Sequence, residues 1–187
     1  MPPKVKVAKE DIIKTAITIA REKGAHSVNA RAIATMLNCS TQPVFSNFDS
    51  MEQLQDAILS TAFEIYLKFL ETEAQKDKYP RYKAFGMAYI RFAMEEKELF
   101  KLLFMRDRKG EEFIPTPDFN ESIEMIMNAN GITRERAELI HLEMWGFVHG
   151  IASMFATSFL SLEWELVSDM VTDIYQGVRS RHLTEGK

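Results

Sequence analysis

The stretch from residue 29 to residue 54 contains more helix start and stop signals than any other part of the chain. Asn29 is a favourable N-cap for a short helix, and Asn38 tolerates the left-handed backbone that a tight turn after that helix needs. Ser40 is placed to cap a second short helix, with Pro43 in its first turn, where a missing N–H breaks no hydrogen bond. Two short helices joined by a tight turn predict a helix-turn-helix, a motif that places one helix end in the major groove of DNA.

Helical periodicity continues on both sides of this motif, and strand signals are scarce. An apolar face that ends at Gly24 predicts a helix before the motif. Ser50 with Gln53 forms a capping box that opens a long helix to about Lys76. Five more helices are predicted, around 85–92 and over 99–104, 118–129, 133–160 and 163–181, with an exposed loop over 106–117. The sequence therefore predicts an all-α protein of about nine helices.

Charge is divided unevenly along the chain. Residues 1–50 carry seven Lys or Arg against four Asp or Glu, whereas the net charge of the whole chain is −4. A basic N-terminal segment on an acidic remainder is compatible with DNA binding at one end. The single cysteine, Cys39, excludes an internal disulfide. The N-terminus is basic and lacks the apolar core of a signal peptide, so we expect a cytoplasmic protein.

Residues 144–162 hold no charged side chain, which raises the possibility of a membrane span. Glycine, serine, threonine and histidine dilute this stretch, and charged residues crowd the preceding turn. The sequence therefore favours a helix buried on all sides over a transmembrane helix, and we expect no membrane partner.

Two predicted C-terminal helices have more close-packing surface than one subunit easily covers. The first carries small residues at helical spacing, namely Gly146, Gly150, Ser153 and Thr157. The second carries apolar residues at coiled-coil spacing, namely Trp164, Val167, Val171, Ile174 and Val178. These two patterns predict a homodimer held by a four-helix bundle. The alternative is that the two helices pack only on each other within one subunit.

The chain resembles the TetR family of bacterial transcriptional regulators, most specifically within residues 10–58. The segments that carry the resemblance are Ile12-Ile13 with Ala16, Glu22-Lys23-Gly24, Asn29-Ala30-Arg31-Ala32-Ile33-Ala34, Ser40-Thr41-Gln42-Pro43-Val44-Phe45 and Phe48-Asp49-Ser50-Met51-Glu52-Gln53-Leu54. In the C-terminal part, residues 99–104 with Trp145 and His149-Gly150 are similar to a ligand-domain subgroup named for Trp-His-Gly.

The resemblance implies two domains with different functions. Residues 1–50 would form a three-helix DNA-binding domain, and residues 51–187 a larger helical domain for ligand binding and dimerisation. The implied protein is a homodimeric repressor that a small apolar or aromatic ligand releases from a palindromic operator. Two departures from the family pattern remove phosphate contacts, because Phe45 replaces the usual tyrosine and Met51 the usual lysine. They leave open an alternative function, a small-molecule- or partner-binding protein with a degenerate helix-turn-helix.

The expected DNA contacts follow from the amino end of the second short helix of the motif. Gln42 can pair with adenine, and the methyl group of Thr41 can contact thymine. Short polar side chains at Ser40, Ser46 and Asn47 suit phosphate oxygens, and charge can come from Arg31, Lys4 and Lys6. For Phe45 we expect partial burial beside Phe48, with the ring along the DNA backbone. The alternative for the polar residues is an ordinary solvated helix surface.

Candidate ligand contacts are aromatic or soft apolar residues of the predicted C-terminal domain, together with one histidine: Tyr66, Phe69, Tyr89, Phe92, Phe104, Met125, Trp145 and His149. The alternative for each is packing in the hydrophobic core. Trp145 and His149 lie one helical turn apart, so they can orient a polar group on an apolar ligand, although a structural hydrogen bond would equally explain His149. We predict neither enzymatic activity nor a cofactor, because the sequence has no HExxH, GxSxG or glycine-rich phosphate motif.

Overall fold

The computed structural model describes residues 7–76, 78–109 and 117–184. Within these ranges the chain forms nine α-helices and no strand, which confirms the all-α prediction. The helices are α1 (Lys9–Lys23), α2 (Ala30–Met36), α3 (Gln42–Asn47), α4 (Met51–Ala74), α5 (Arg81–Glu95), α6 (Lys97–Phe104), α7 (Pro117–Asn130), α8 (Arg134–Ala156) and α9 (Trp164–Thr184). Most of the predicted loop over 106–117 lies outside the described residues.

Two compact units share these helices. The first unit runs to Tyr66 and also includes Glu96–Arg106, so it contains α1 to α3, the first part of α4, and α6. The second unit begins at Leu67 and contains the end of α4 together with α5, α7, α8 and α9. Helix α4 is continuous across the two units. The predicted boundary at residue 50 stays a prediction about which segment carries each function.

Helix ends in the first unit follow local chemistry. The side chain of Asn29 accepts a hydrogen bond from the backbone N–H of Ala32 at 2.9 Å, as an N-cap does. Asn38 has φ +50°, the left-handed turn that its residue type favours. The prediction that Ser40 caps α3 is wrong, because Thr41 is the N-cap and makes no side-chain capping bond within the described chain.

The capping box at the start of α4 forms with a shifted partner. The N–H of Gln53 donates to the hydroxyl oxygen of Ser50 at 3.1 Å. The side-chain oxygen of Gln53 reaches back and accepts from the N–H of Asp49 at 2.8 Å. These two hydrogen bonds, each from a backbone N–H to a side-chain oxygen, therefore fix the start of α4 relative to the end of α3.

The core of the first unit lies where α1 packs against α2, α3 and α6. Its fully buried side chains include Ile12, Ile33, Val44 and Phe100, one from each of these helices. In the second unit, α8 is central and packs against α5, α7 and α9. Helix α8 ends at Ala156, four residues before its predicted end. No helix of the described chain combines the length and apolarity needed to cross a bilayer.

Candidate functional site

The short helix α3 is anchored by one side and presents the other to solvent. Val44 is fully buried and packs α3 into the first unit. Ser40, Gln42 and Ser46 are exposed, and Thr41 is half-buried at the helix start. Polar groups are therefore displayed along the amino end of α3, which is the end that a recognition helix directs at base edges.

The environment of Phe45 differs from the expected one. The prediction of partial burial beside Phe48 is wrong, because the Phe45 side chain is 56% exposed whereas Phe48 is buried. The two residues are three positions apart on α3 and its C-cap, and only Phe48 reaches the core. Phe45 therefore adds an uncovered ring to the polar surface of α3.

Two predicted phosphate donors are already engaged within the protein. The amide nitrogen of Asn47 donates to the carbonyl oxygens of Pro43 at 2.8 Å and of Val7 at 3.4 Å, which uses both of its hydrogens. The hydroxyl of Ser46 donates to the carbonyl oxygen of Gln42 at 2.8 Å. Each would have to break such a bond before donating to a phosphate. Asn47 instead ties the chain before α1 to the recognition helix.

The positive charge near α3 has one source that the sequence did not single out. Arg31 is exposed on α2, as the interpretation needs, whereas Lys4 and Lys6 lie outside the described residues. The ammonium of Lys9 at the start of α1 lies 4.9 Å from the centroid of the Phe48 ring. A cation held over an aromatic face keeps its charge, so Lys9 joins Arg31 as a candidate phosphate contact.

Three of the eight predicted ligand contacts meet in the second unit. The hydroxyl of Tyr89 on α5 lies 2.8 Å from Nδ1 of His149 on α8. The indole of Trp145 stacks on the same imidazole, with centroids 5.2 Å apart and planes at 20°. Burial, helped by the positive charge of Arg108, lowers the pKa of His149 below its usual value, which favours the neutral imidazole. We call Tyr89, Trp145 and His149 the histidine cluster.

The other five predicted ligand contacts have observed packing partners outside the three residues of the histidine cluster. Tyr66 and Phe104 form an edge-to-face pair in the first unit, with centroids 5.0 Å apart. Phe69 and Phe92 form a similar pair in the second unit at 5.4 Å. Met125 packs against a separate buried cluster of the second unit. A ligand role for these five stays a prediction, and their aromatic contacts are those of core packing.

The small-residue pattern of α8 lies on an open helix face. An added Cβ at Gly146 or Gly150 would meet nothing within 4 Å. Leu142, which the sequence interpretation missed, lies one turn before Gly146 and is 59% exposed, and Leu139 is half exposed. Ser153 and Thr157 are half-buried and exposed, respectively, and extend this face. We call residues 139–157 on this side the open face of α8.

The five apolar residues that were predicted to form an interface on α9, called the seam residues here, do not all face the same way. Val167 is fully buried and Val171 nearly so within the chain itself, and a buried side chain has no surface left for a partner. Their assignment to a dimer interface is therefore corrected to the core of the second unit. Trp164 is half-buried under the guanidinium of its own chain's Arg91, at 4.7 Å. Of the five seam residues, Ile174 is exposed and Val178 half-buried.

Sequence comparison finds one family match. Residues 82–173, just under half of the chain, match the family model of the tetracyclin repressor-like C-terminal domain. This part of the chain is therefore similar to the C-terminal domain of tetracyclin repressor-like proteins. No curated protein matches it in sequence.

Solved structures share the fold of this chain. A protein of unknown function from Rhodococcus sp. RHA1 is 19% identical, with a TM-score of 0.72 over 95% of this chain and 98% of that one. A TetR-like transcriptional regulator from the same organism is 16% identical, with a TM-score of 0.61 over 100% of both chains. The multidrug binding protein EbrR, solved with imidazole, is 15% identical, with a TM-score of 0.56 over 88% of this chain and 93% of that one.

The second unit has a second histidine environment that the sequence interpretation did not predict. The hydroxyl of Tyr82 on α5 lies 3.1 Å from Nδ1 of His141 on α8. Phe119 meets the same imidazole edge-to-face at 5.0 Å, and Tyr175 packs 5.7 Å from Tyr82. Burial raises the pKa of the Tyr82 hydroxyl, which keeps it protonated. These residues come from four helices, so no local sequence signal connects them.

Proposed function

We propose that the chain is a homodimeric transcriptional regulator that represses by binding operator DNA and is released by a small apolar or aromatic ligand. The observation that carries the proposal is the arrangement of α3, in which Val44 alone is buried while Ser40, Gln42 and Ser46 are exposed. A helix anchored by one residue, with its polar amino end uncovered, is able to enter a major groove. The similarity of residues 82–173 to the tetracyclin repressor-like C-terminal domain supports the same function.

The open face of α8 supports a second copy of the chain as partner. Leu139 and Leu142 are large apolar side chains left half exposed, and Gly146 and Gly150 allow a partner helix to approach closely. A dimer built on this face is isologous, because the same surface serves both subunits. Such symmetry matches a palindromic operator, whose half-sites lie about 34 Å apart.

The histidine cluster supports an aromatic ligand that carries one polar group. A neutral imidazole stacked on Trp145 offers both a flat apolar surface and a hydrogen-bonding edge. The related fold of EbrR, a multidrug binding protein solved with imidazole, supports small-molecule binding by this architecture. A ligand can release the operator only through a difference in its affinity for the two states of the regulator.

The deciding experiment captures genomic fragments with the purified protein and then measures affinity for a captured fragment by fluorescence anisotropy. Each of Gln42→Ala and Thr41→Ala is expected to weaken specific binding by about 1–3 kcal/mol, because each removes a contact to a base edge. Gln75→Ala is the matched control, since Gln75 is exposed and lies in the second unit.

Two results would contradict the proposal. Equal affinities for the two α3 variants and the wild type would remove these residues from the readout. Failure to retain any palindromic fragment at low salt would favour the alternative, a small-molecule- or partner-binding protein with a degenerate helix-turn-helix.

A further inference from the structure

The second unit contains a cleft that none of the sequence predictions singled out. Its volume is about 220 Å³, and it lies between the C-terminal end of α4, the middle of α5 and the start of α9. The small or flexible side chains Ala84, Met87 and Ala88 of α5 line it together with two rings, Tyr79 and Trp164. A cavity of about 150 Å³ suffices for benzene. The cleft therefore has room for one aromatic ring with a small substituent.

Positive charge is concentrated around this cleft. Lys76, Lys78 and Arg91 line it against a single acidic lining residue of the described chain, Glu73. That carboxylate already pairs with two of the cations, Lys76 and Arg91 at 3.4 Å. Asp77, between Lys76 and Lys78 in the sequence, lies outside the described residues, so the balance is three cations to one carboxylate in the described lining. This balance favours an anionic ligand.

Lys83 supplies a second observation. Its ammonium does not line the cleft but lies 4.8 Å from the centroid of the Tyr79 ring, which does. It donates to the hydroxyls of Ser168 at 2.8 Å and Thr172 at 2.7 Å, and no described carboxylate pairs with it. A half-buried charge is costly when neutral hydroxyls are its hydrogen-bond partners. An anion in the cleft would relieve this cost.

Trp164 supplies a third observation. Its indole nitrogen is buried and has no hydrogen-bond acceptor among the residues that the structure describes. An unsatisfied buried donor of this kind is rare in folded proteins and calls for an acceptor. Because Trp164 lines the cleft, a ligand oxygen bound there is a candidate acceptor for this N–H.

We propose that this cleft binds a small aromatic carboxylate, with the ring between Tyr79 and Trp164, the carboxylate near Arg91, and the positive charge of Lys83 next to Tyr79. The site is distinct from the histidine cluster and does not depend on the proposed DNA binding. It gives the protein a place for a second small molecule, chosen by negative charge as well as by aromatic shape.

The test is a titration of the full chain with benzoate, followed by the two indole N–H resonances in ¹H–¹⁵N correlation spectra. Trp145→Phe and Trp164→Phe assign the two signals, because the chain has two tryptophans. We expect the Trp164 resonance to shift and saturate at about 1 mM benzoate. Benzamide, which has the same shape without the charge, should shift it far less.

Charge variants complete the test. Lys83→Met removes the ammonium but keeps the side-chain stem and should weaken benzoate binding about tenfold. Lys68→Met is the control, since Lys68 is an exposed residue of α4, whereas Lys83 is half-buried against the Tyr79 ring of the cleft. Lys83→Arg should retain binding, and Arg91→Met replaces Lys83→Met if that variant fails to fold. Three results would overturn the proposal. The first is a Trp164 resonance that does not move up to about 20 mM benzoate, and the second is an equal response to benzamide. The third is an equal loss of benzoate affinity in Lys83→Met and Lys68→Met.

Discussion

Restoring the hydroxyl that the family usually has at position 45 should strengthen operator binding without affecting the fold. The Phe45 ring is 56% exposed, so the oxygen of Phe45→Tyr adds no buried polar group and displaces no core atom. A hydrogen bond to a charged phosphate is worth about 1.5 kcal/mol, which corresponds to roughly tenfold in affinity. The free energy of unfolding should be unchanged, because Val44 and not Phe45 anchors α3.

A companion substitution separates hydrogen bonding from charge. Met51 is half-buried at the first position of α4, and Met51→Lys places a cation where the family pattern has one. Neutralising one phosphate should steepen the slope of log affinity against log salt by about 0.9. Phe45→Tyr adds no charge, so its slope should equal that of the wild type.

Both slopes come from anisotropy titrations of a captured operator fragment at several salt concentrations. Each variant should melt at the wild-type temperature, which controls for damage to the fold. The reasoning would be refuted if Phe45→Tyr bound no more tightly than the wild type, or if Met51→Lys left the salt dependence unchanged. Either result would mean that this face of the helix-turn-helix does not approach the DNA backbone as proposed.

Three further predictions concern stability and assembly. Asn29→Ala should lower the free energy of unfolding by about 1 kcal/mol in urea titrations, because it removes the cap on α2. Asn29→Asp should retain most of the stability that the cap provides. Equal losses in the two variants would contradict the capping role. Because the pKa of His149 is lowered in the folded state, its neutral form stabilises the protein fully above the unfolded pKa of about 6.5, and this contribution is lost as pH falls through the lowered value. The stability advantage of the wild type over His149→Gln should therefore shrink between pH 7 and pH 5 in parallel urea titrations, and a constant difference would show that His149 does not titrate on unfolding. Leu142→Glu, on the open face of α8, should yield monomers in sedimentation velocity runs where Gln75→Glu stays dimeric; a dimeric Leu142→Glu would exclude this face as the interface.

Features set by a few neighbouring residues could be predicted from the sequence. The cap at Asn29, the turn at Asn38 and the capping box at Ser50 all depend on side chains bonding to backbone within a few positions. Such bonds form largely independently of the rest of the fold. The prediction for Ser40 is wrong by one residue, because α3 begins after Thr41, which makes no side-chain capping bond within the described chain.

Features that depend on which neighbour covers a helix face could not be predicted in the same way. The spacing of Val167, Val171 and Ile174 is the same for a helix packed on its own chain as for one packed on a partner. Only the fold reveals that the two valines are buried against the rest of the second unit while Ile174 is exposed. The open surface instead lies on α8. The spacing of its glycines indicates that a partner helix can approach closely, and the leucine at position 142 is exposed there.

The proposed carboxylate site shows the same limit of prediction from sequence, here for charge and hydrogen bonding. Lys83 meets Ser168 and Thr172 across 85 and 89 positions of sequence, and all three are ordinary surface residue types when read singly. A lysine in a helix is by default solvated and free to find a counter-ion. Folding removes that freedom by placing the ammonium between two hydroxyls and an aromatic ring. The unbalanced charge is thus a property of the tertiary structure, and an anion that binds there would stabilise the fold in proportion to how much of that imbalance it removes.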